Sequence, residues 1–214
     1  MNIDPQQANL IVVGAVVAIV VAGVLAIAMK RSKTIGERLL VFARDAGWQN
    51  GQRMRALFAG VRGTWNGFEV SVRRVPRQKA IPERVVLRVR VQVPARLAVS
   101  KRSGGFRGGR PLALFGPPVV ELRDGGGREF WIRGDEITLA ERLFASGVVT
   151  ALLDRNLVSR FDGVTLAGDA LQILRATAGG GAQFGGTSLD QLVQTAHEEW
   201  ELAKAVVETL ALRP

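Results

Sequence analysis

A single apolar run near the start of the chain constrains the architecture more than any other feature. Positions 10–29 read LIVVGAVVAIVVAGVLAIAM, and no charged residue stands between Pro5 and Met29. Such a run rises about 30 Å as a helix, which matches the hydrocarbon thickness of a bilayer. A buried core helix of this length without one charge is rare in a chain of 214 residues. The run therefore predicts a transmembrane helix over residues 10–29.

The flanks of this run argue against a cleaved signal peptide and predict an orientation. A signal peptide begins with a basic region, whereas the only charged residue before the run is Asp4. The positive-inside rule then places the bulk of the chain in the cytoplasm and leaves residues 1–9 as a short extracytoplasmic tail. We expect the basic residues after the run to contact anionic headgroups at the membrane surface; they are Lys30, Arg31, Lys33 and Arg38.

Small residues recur every four positions within the apolar run. They are Gly14, Ala18, Ala22 and Ala26, which share one face of a helix. Small side chains at this spacing let a second helix approach closely, so the face predicts packing against other membrane subunits or a second copy of the chain. The alternative is that alanine and glycine are simply common in bacterial membrane helices.

Charge divides the rest of the chain sharply. Residues 30–110 contain 20 Lys and Arg against 4 Asp and Glu, whereas residues 111–214 contain 9 against 14. The basic half directly follows the apolar run, and its first part, 30–60, is expected to be a basic juxtamembrane helical segment. Anionic lipid headgroups attract such a segment. Nucleic acid is a less favoured partner, because the basic excess stands beside a membrane segment.

The residues on which most catalysis depends are scarce. Cysteine is absent and His197 is the only histidine, which excludes thiolate sites and multi-histidine metal sites. The phosphate-loop, dinucleotide-binding and nucleophile-elbow motifs are also absent. The sequence therefore predicts no catalytic, cofactor-binding or metal site and no enzyme, although distant carboxylates could still converge in a cleft. We expect His197 to lie on a solvated face of the last helix with the neighbouring carboxylates Glu198, Glu199, Glu201 and Glu208.

Residues 30–60 carry helical signals. The pair Thr34 and Glu37 has the spacing of a capping box, and Gly47 fits a helix end, which predicts a separate helix over 35–46. Residues 52–59 are expected to form a second short helix. Trp48 and Trp65 stand close enough to the membrane in sequence to reach headgroup level.

Period-two patterning then predicts an antiparallel sheet in a cytoplasmic domain over 61–214. Asn66-Gly67 favours a hairpin turn, and apolar residues alternate with polar ones over 68–73 and 87–93. Further strands are expected near 97–100, 119–123, 129–133, 163–167 and 170–175. The alternation predicts one solvated sheet face that bears Arg73, Arg88 and Arg90.

Helices return in the second half of the chain. They are expected over 138–146, 148–155 and 188–212, and a glycine-rich loop over 178–187 precedes the last of them. Capping boxes are expected at Thr138 with Glu141 and at Ser188 with Gln191. The fold class predicted is α+β, with one N-terminal transmembrane helix followed by an antiparallel-sheet domain with C-terminal helices.

The order of these motifs resembles bacterial single-span membrane proteins with a cytoplasmic α+β domain. The resemblance rests on the hairpin at 63–72, the strand at 89–94, the FWIRGDE segment at 130–136 and the final helix at 189–196. It covers 63–212 loosely and implies no activity.

Two functions follow as hypotheses. The first is a non-enzymatic accessory or scaffold subunit of a larger complex in the bacterial inner membrane, of photosynthetic, respiratory or secretion type. The second is a membrane tether whose basic sheet face binds anionic lipid or nucleic acid.

Overall fold

The computed structural model describes residues 5–54, 59–77, 82–101, 130–159, 162–177 and 188–214. It is an α+β fold whose strands form a single antiparallel sheet. The elements in chain order are α1 (Pro5–Asp45), β1 (Gln49–Arg53), β2 (Gly60–Trp65), β3 (Phe68–Val75), β4 (Arg84–Arg90), β5 (Leu97–Lys101), β6 (Phe130–Gly134), α2 (Ile137–Ala145), α3 (Gly147–Asn156), β7 (Gly163–Ala167), β8 (Ala170–Ala176) and α4 (Leu189–Thr209).

The first helix is continuous from the apolar run into the domain. The expectation of a separate helix over 35–46 with a cap at Thr34 is wrong, because α1 passes through this point without a break. The Thr34 hydroxyl instead donates a hydrogen bond to the Lys30 carbonyl oxygen at 3.1 Å, one turn earlier in the same helix. Lys and Arg are good helix formers, and no Gly or Pro lies between Met29 and Ile35 to interrupt the backbone. The helix does end where Gly47 predicts, with that residue at φ +75°.

The two halves of α1 have different surroundings. Every described side chain from 13 to 27 is exposed, and the helix is long and apolar enough to cross a membrane. From residue 35 onward one face turns into the core of the domain. That face consists of Ile35, Leu39, Phe42 and Ala43, each at most 1% exposed.

The described sheet has eight strands in the order β1-β2-β3-β4-β8-β7-β5-β6. The predicted turn at Asn66-Gly67 joins β2 to β3, and both residues have positive φ, as a type I′ turn requires. The predicted hairpin of β7 and β8 is also present, with Gly168 at φ +63°. The strand expected at 119–123 and the loop expected at 178–187 lie outside the described residues.

Strand β1 occupies the first two positions of the helix expected over 52–59. Residues 49–53 pair with β2, and residues 55–58 lie outside the described part of the chain. The polar sequence of β1 carries no alternation, and its pairing is irregular, with Asn50 at φ +54°. A Cβ at Gly63 would lie 2.8 Å from the carbonyl oxygen of Gln49, so this glycine is what permits the close approach.

The helices cover one face of the sheet. Helix α4 packs on β4 and β8, and the end of α1 packs on β1 and β2. The opposite face carries the exposed side chains of the central strands, as the alternation predicts; they are Glu69, Arg73, Arg88 and Arg90.

The other two predicted capping boxes have different outcomes. Ser188 and Gln191 form the expected reciprocal box at the start of α4. The prediction of a capping box at Thr138 and Glu141 is wrong, because α2 begins at Ile137, after Glu136, and has no side-chain cap. Helix α3 is capped instead by the Ser146 hydroxyl, which accepts a hydrogen bond from the Val149 amide.

Aromatic side chains join α1, the β2–β3 hairpin and α4. The Trp48 ring lies 5.5 Å from Phe42 and 5.3 Å from Trp200, measured between ring centroids. Trp65 completes the cluster at 4.9 Å from Trp200. The expectation that Trp48 reaches headgroup level is therefore wrong: it is 6% exposed, beyond the end of α1 that enters the core.

If the second half of α1 is part of the core, Leu39→Ala will lower the free energy of unfolding by about 2–5 kcal/mol, because it leaves a cavity. Val41 lies on the exposed side of the same helix, 52% exposed. Val41→Ala should change the free energy of unfolding by less than about 0.5 kcal/mol. Tryptophan fluorescence of the full chain in mild detergent and urea measures both, and equal effects would show that this half of α1 is not packed.

Candidate functional site

The small residues predicted to pack against a second helix are all exposed. Gly14, Ala18, Ala22 and Ala26 follow one another along about 18 Å of α1. No described atom lies within 4 Å of a Cβ built at Gly14. The domain therefore leaves this face open along the apolar part of the helix.

The four basic residues predicted to lie at the membrane surface follow the apolar run on α1, and three of them precede the part of the helix that enters the core. Lys30, Arg31, Lys33 and Arg38 are all exposed. Lys30, Arg31 and Lys33 precede Ile35, the first buried residue among those described, and Arg38 lies on the exposed side of the helix one turn later.

The three arginines predicted on the sheet face do share one exposed face, but acidic residues accompany two of them. Arg88 Nη2 lies 2.6 Å from Asp169 Oδ1, and Arg90 Nη1 lies 3.2 Å from Glu69 Oε2. Arg90 Nε also lies 3.4 Å from Asp169 Oδ2. Arg73 is exposed and makes no ion pair with a described residue. The face is therefore less basic than its arginines alone suggest.

An open groove of about 540 Å³ runs along this face. Its walls mix both charges, and an anion bound there would compete with Asp169 and Glu69 for Arg88 and Arg90. The charged residues that line the groove are Arg62, Glu69, Arg88, Arg90 and Asp169. Sequence alternation places Glu69 on this face, but Asp169 reaches it only through the pairing of β4 with β8.

A polar cluster inside the domain was not expected. The prediction that Glu198 and Glu199 lie on a solvated face of α4 is wrong. Glu199 is fully buried, and neither carboxylate oxygen has a hydrogen-bond partner among the residues that the structure describes. It shares a helix face with Thr195, Leu202 and Val206, which are also buried. Sequence gives one signal: Glu199 falls within the apolar stripe of α4 at helical spacing.

Arg175 is the cation at the centre of this cluster. Its Nη1 donates to Asn156 Oδ1 at 3.0 Å and also to Glu198 Oε2. Gln194 Nε2 donates to the same carboxylate at 2.8 Å. Burial alone would raise the pKa of Glu198, but the hydrogen bonds from Gln194 and Arg175 lower that pKa below its ordinary value.

Asp162 borders the cluster and is pinned by the backbone. Its Oδ2 accepts hydrogen bonds from the amides of Val158 and Ser159, and its Oδ1 accepts one from Ala176 at 2.7 Å. Burial raises the pKa of Asp162 despite these bonds. Burial also raises the pKa of Glu199 well above its ordinary value; Arg175 opposes that shift, and Asp162 and Glu198 add to it.

This arrangement favours a neutral Glu199 beside an ionised Glu198. Within the described ranges, no group of three or more His, Cys, Asp or Glu side chains is placed to hold a metal ion. The His197 ring is half-buried rather than solvated, and it packs edge-on against Phe42 with the ring centroids 4.7 Å apart.

Comparison with known proteins places the chain in no family: no family model matches it, no curated protein is similar to it, and no solved structure is similar to it. Its function is therefore argued from its own residues.

The burial of Glu199 predicts a pH-dependent stability. A carboxyl group whose pKa is raised in the folded state lowers the free energy of unfolding as pH rises above its ordinary pKa, by up to about 1.4 kcal/mol per pH unit until the raised pKa is reached. Glu199→Gln removes this ionisation. We expect the variant to gain more stability over the wild type at pH 8 than at pH 5.

Urea unfolding of the full chain in detergent at the two pH values measures this difference. Glu208→Gln, on an exposed face of α4, is the matched control and should give the same small change at both. A Glu199→Gln effect that does not depend on pH would show that Glu199 ionises in the folded protein as it does in the unfolded chain.

Proposed function

We propose that this protein is a non-enzymatic accessory or scaffold subunit of a larger bacterial membrane complex, anchored by α1 as a single transmembrane helix. The observation that carries the proposal is the continuity of α1, which runs unbroken from its exposed apolar half into the core of the domain. An anchor joined by a flexible linker only tethers a domain, whereas an unbroken helix also fixes its distance and direction.

The distance between the apolar run and the core-packed part of α1 is short. Ile35, the first described residue that is at most 1% exposed, follows Met29, the last of the apolar run, by six positions. They rise about 9 Å as a helix. The headgroup layer outside the hydrocarbon is about 5–8 Å thick, so the domain begins directly beneath it. A domain held there can contact the extramembrane parts of neighbouring subunits at a defined height.

The flanking charges support an orientation with the N-terminus outside and the domain in the cytoplasm. Lys30, Arg31, Lys33 and Arg38 follow the apolar run, against Asp4 alone before it. The same residues favour contact with anionic lipid headgroups in the bacterial inner membrane.

The apolar half of α1 offers two unlike faces. The small stripe of Gly14, Ala18, Ala22 and Ala26 lies about 180° around the helix from valines such as Val20 and Val24. Valine side chains suit contact with lipid tails, while small residues suit a helix of another subunit or of a second copy. This division supports membrane subunits as the partners.

A second candidate function is a membrane tether whose sheet face binds anionic lipid or nucleic acid. The exposed and unpaired Arg73, together with the net charge of +10, favours it. The ion pairs of Arg88 and Arg90 count against it, since they neutralise part of the face.

The tether predicts binding that falls steeply with salt concentration. A duplex oligonucleotide titrated against the detergent-solubilised chain should then lose affinity by an order of magnitude or more between about 50 mM and about 200 mM salt. Absence of binding at the lower concentration would eliminate the nucleic-acid form of this candidate. Arg88→Gln with Arg90→Gln, checked for an unchanged melting curve, would test the face directly.

The subunit proposal predicts that a stoichiometric set of membrane proteins co-purifies with the chain from native membranes in mild detergent. Ala18→Leu with Ala22→Leu should reduce that set about tenfold, because overpacking a close helix contact costs about 1–3 kcal/mol. Mass spectrometry of the co-migrating proteins measures the loss.

Val20→Leu with Val24→Leu is the matched control, since it enlarges the opposite face of the same helix and should leave the set unchanged. A wild-type chain that migrates alone, as a monomer or homodimer, would contradict the proposal.

A further inference from the structure

We propose that the membrane-facing end of the sheet, formed by Arg53, Arg73 and Arg77 on β1 and β3 and just beyond, is a second surface that binds anionic phospholipid headgroups. The inference rests on the proposed function, because it takes α1 to be the membrane anchor. It extends lipid contact from the helix to the folded domain itself.

Contacts between α1 and β1 show which end of the sheet faces the membrane. A Cβ at Gly36 would lie 3.2 Å from Arg53 Cδ, and one at Gly51 would lie 3.7 Å from Leu40 Cδ2. Four residues of helix rise about 6 Å and two residues of strand about 6.6 Å. Because these steps match, β1 runs nearly antiparallel to α1, and its Arg53 end points back toward the apolar run.

The pairing of the strands shows that Arg73 on β3 lies at nearly the same height above the apolar run as Arg53 on β1. Arg53 pairs with Val61 on β2, and the neighbouring Gly60 pairs with Arg73 on β3. Strand β3 then continues for two more residues to Val75, which brings its end about 6.6 Å closer to the membrane before the twist of the sheet is considered.

The height of this end places it beside the headgroups. Gly36, which is level with Arg53, follows Met29 by seven residues, or about 10 Å along the helix. The headgroup layer fills about 5–8 Å of that distance. The remaining gap is shorter than the Debye length of about 8 Å at physiological salt, so charges at this end act on the lipid phosphates.

The charges at this end are also the less neutralised ones. Arg73 and Arg77 are exposed and make no ion pair with a described residue. Arg53 faces only Glu37, at 3.9 Å, with both side chains about half exposed. Arg88 and Arg90 lie farther from the apolar run on the same sheet, and both are paired with acidic residues. Arg73 and Arg77, which are unpaired among the described residues, therefore lie at the end that α1 holds against the membrane, whereas Arg88 and Arg90 lie at the other end and are paired.

The absence of cysteine allows a direct test on the full chain. The variant Gln52→Cys is labelled at its single thiol, beside Arg53, with a donor fluorophore. The labelled chain is then reconstituted into vesicles of phosphatidylcholine and phosphatidylglycerol. Energy transfer to acceptor-labelled phosphatidylglycerol, relative to acceptor-labelled phosphatidylcholine, reports the local enrichment of the anionic lipid. We expect enrichment at low salt and its loss at high salt.

Arg73→Gln with Arg77→Gln should lower this enrichment by about half, the remainder coming from the basic residues of α1. Arg44→Gln with Arg213→Gln is the matched control, because both arginines are exposed and lie away from the apolar run. The two substitutions remove the same amount of charge as Arg73→Gln with Arg77→Gln. Melting curves of the two double variants should coincide with that of the wild type.

The outcomes separate this inference from the function on which it rests. Full enrichment in Arg73→Gln with Arg77→Gln, in a chain that resists alkaline extraction from the vesicles, would overturn the lipid surface and leave the anchor intact. Release of the wild-type chain by alkaline extraction would overturn both. Unchanged enrichment with loss of co-purifying subunits would show that these arginines bind a protein instead.

Discussion

The packing of the second half of α1 into the core is the interaction on which the rest of the structure depends. Ile35, Leu39 and Phe42 are buried by the same helix whose first half is exposed and apolar. One rigid element thus serves two environments. Its burial positions the turn at Gly47, the start of the edge strand β1 and the contact between Trp48 and Trp200. Removing it would expose the face of β1 and β2 and the neighbouring side of α4.

Sequence patterns predicted the elements whose signals are local. Alternation and the Asn66-Gly67 pair identified the β2–β3 hairpin, and Ser188 with Gln191 identified the start of α4. The continuity of α1 was missed because the charges from Lys30 to Lys33 resemble a boundary, although charged residues do not break a helix. Strand β1 was missed because it is polar throughout and owes its conformation to pairing with β2.

The candidate sites were also predicted where the signal lies in neighbouring residues, and missed where it depends on contacts between residues far apart in the sequence. Alternation put Arg73, Arg88 and Arg90 on one face, which the structure has. It could not reveal that Asp169 would arrive from a turn 81 positions after Arg88 in the chain and form an ion pair with it. Nor could it separate Glu199, which is buried without a partner, from exposed carboxylates on the same helix, since burial depends on what packs against α4. The number of arginines on a sheet face can be read from the sequence. The electrostatic potential at that face also depends on which of these arginines form ion pairs, and the sequence does not show this.

The aromatic cluster that joins α1 to α4 links the first helix of the chain to the last. Trp48 and Trp200 are in contact although they lie 152 positions apart in the sequence, and the backbone amide of Gln92 donates a hydrogen bond to the carbonyl oxygen of Arg213. Contacts between residues so far apart form late, because the chain must close a long loop before they gain any stability. On the ribosome, the apolar half of α1 emerges first while the partners of its other half have not yet been made. The contacts between α1 and α4 can form only after Leu189–Thr209 has been synthesised, so the two halves of α1 reach their final surroundings at different times.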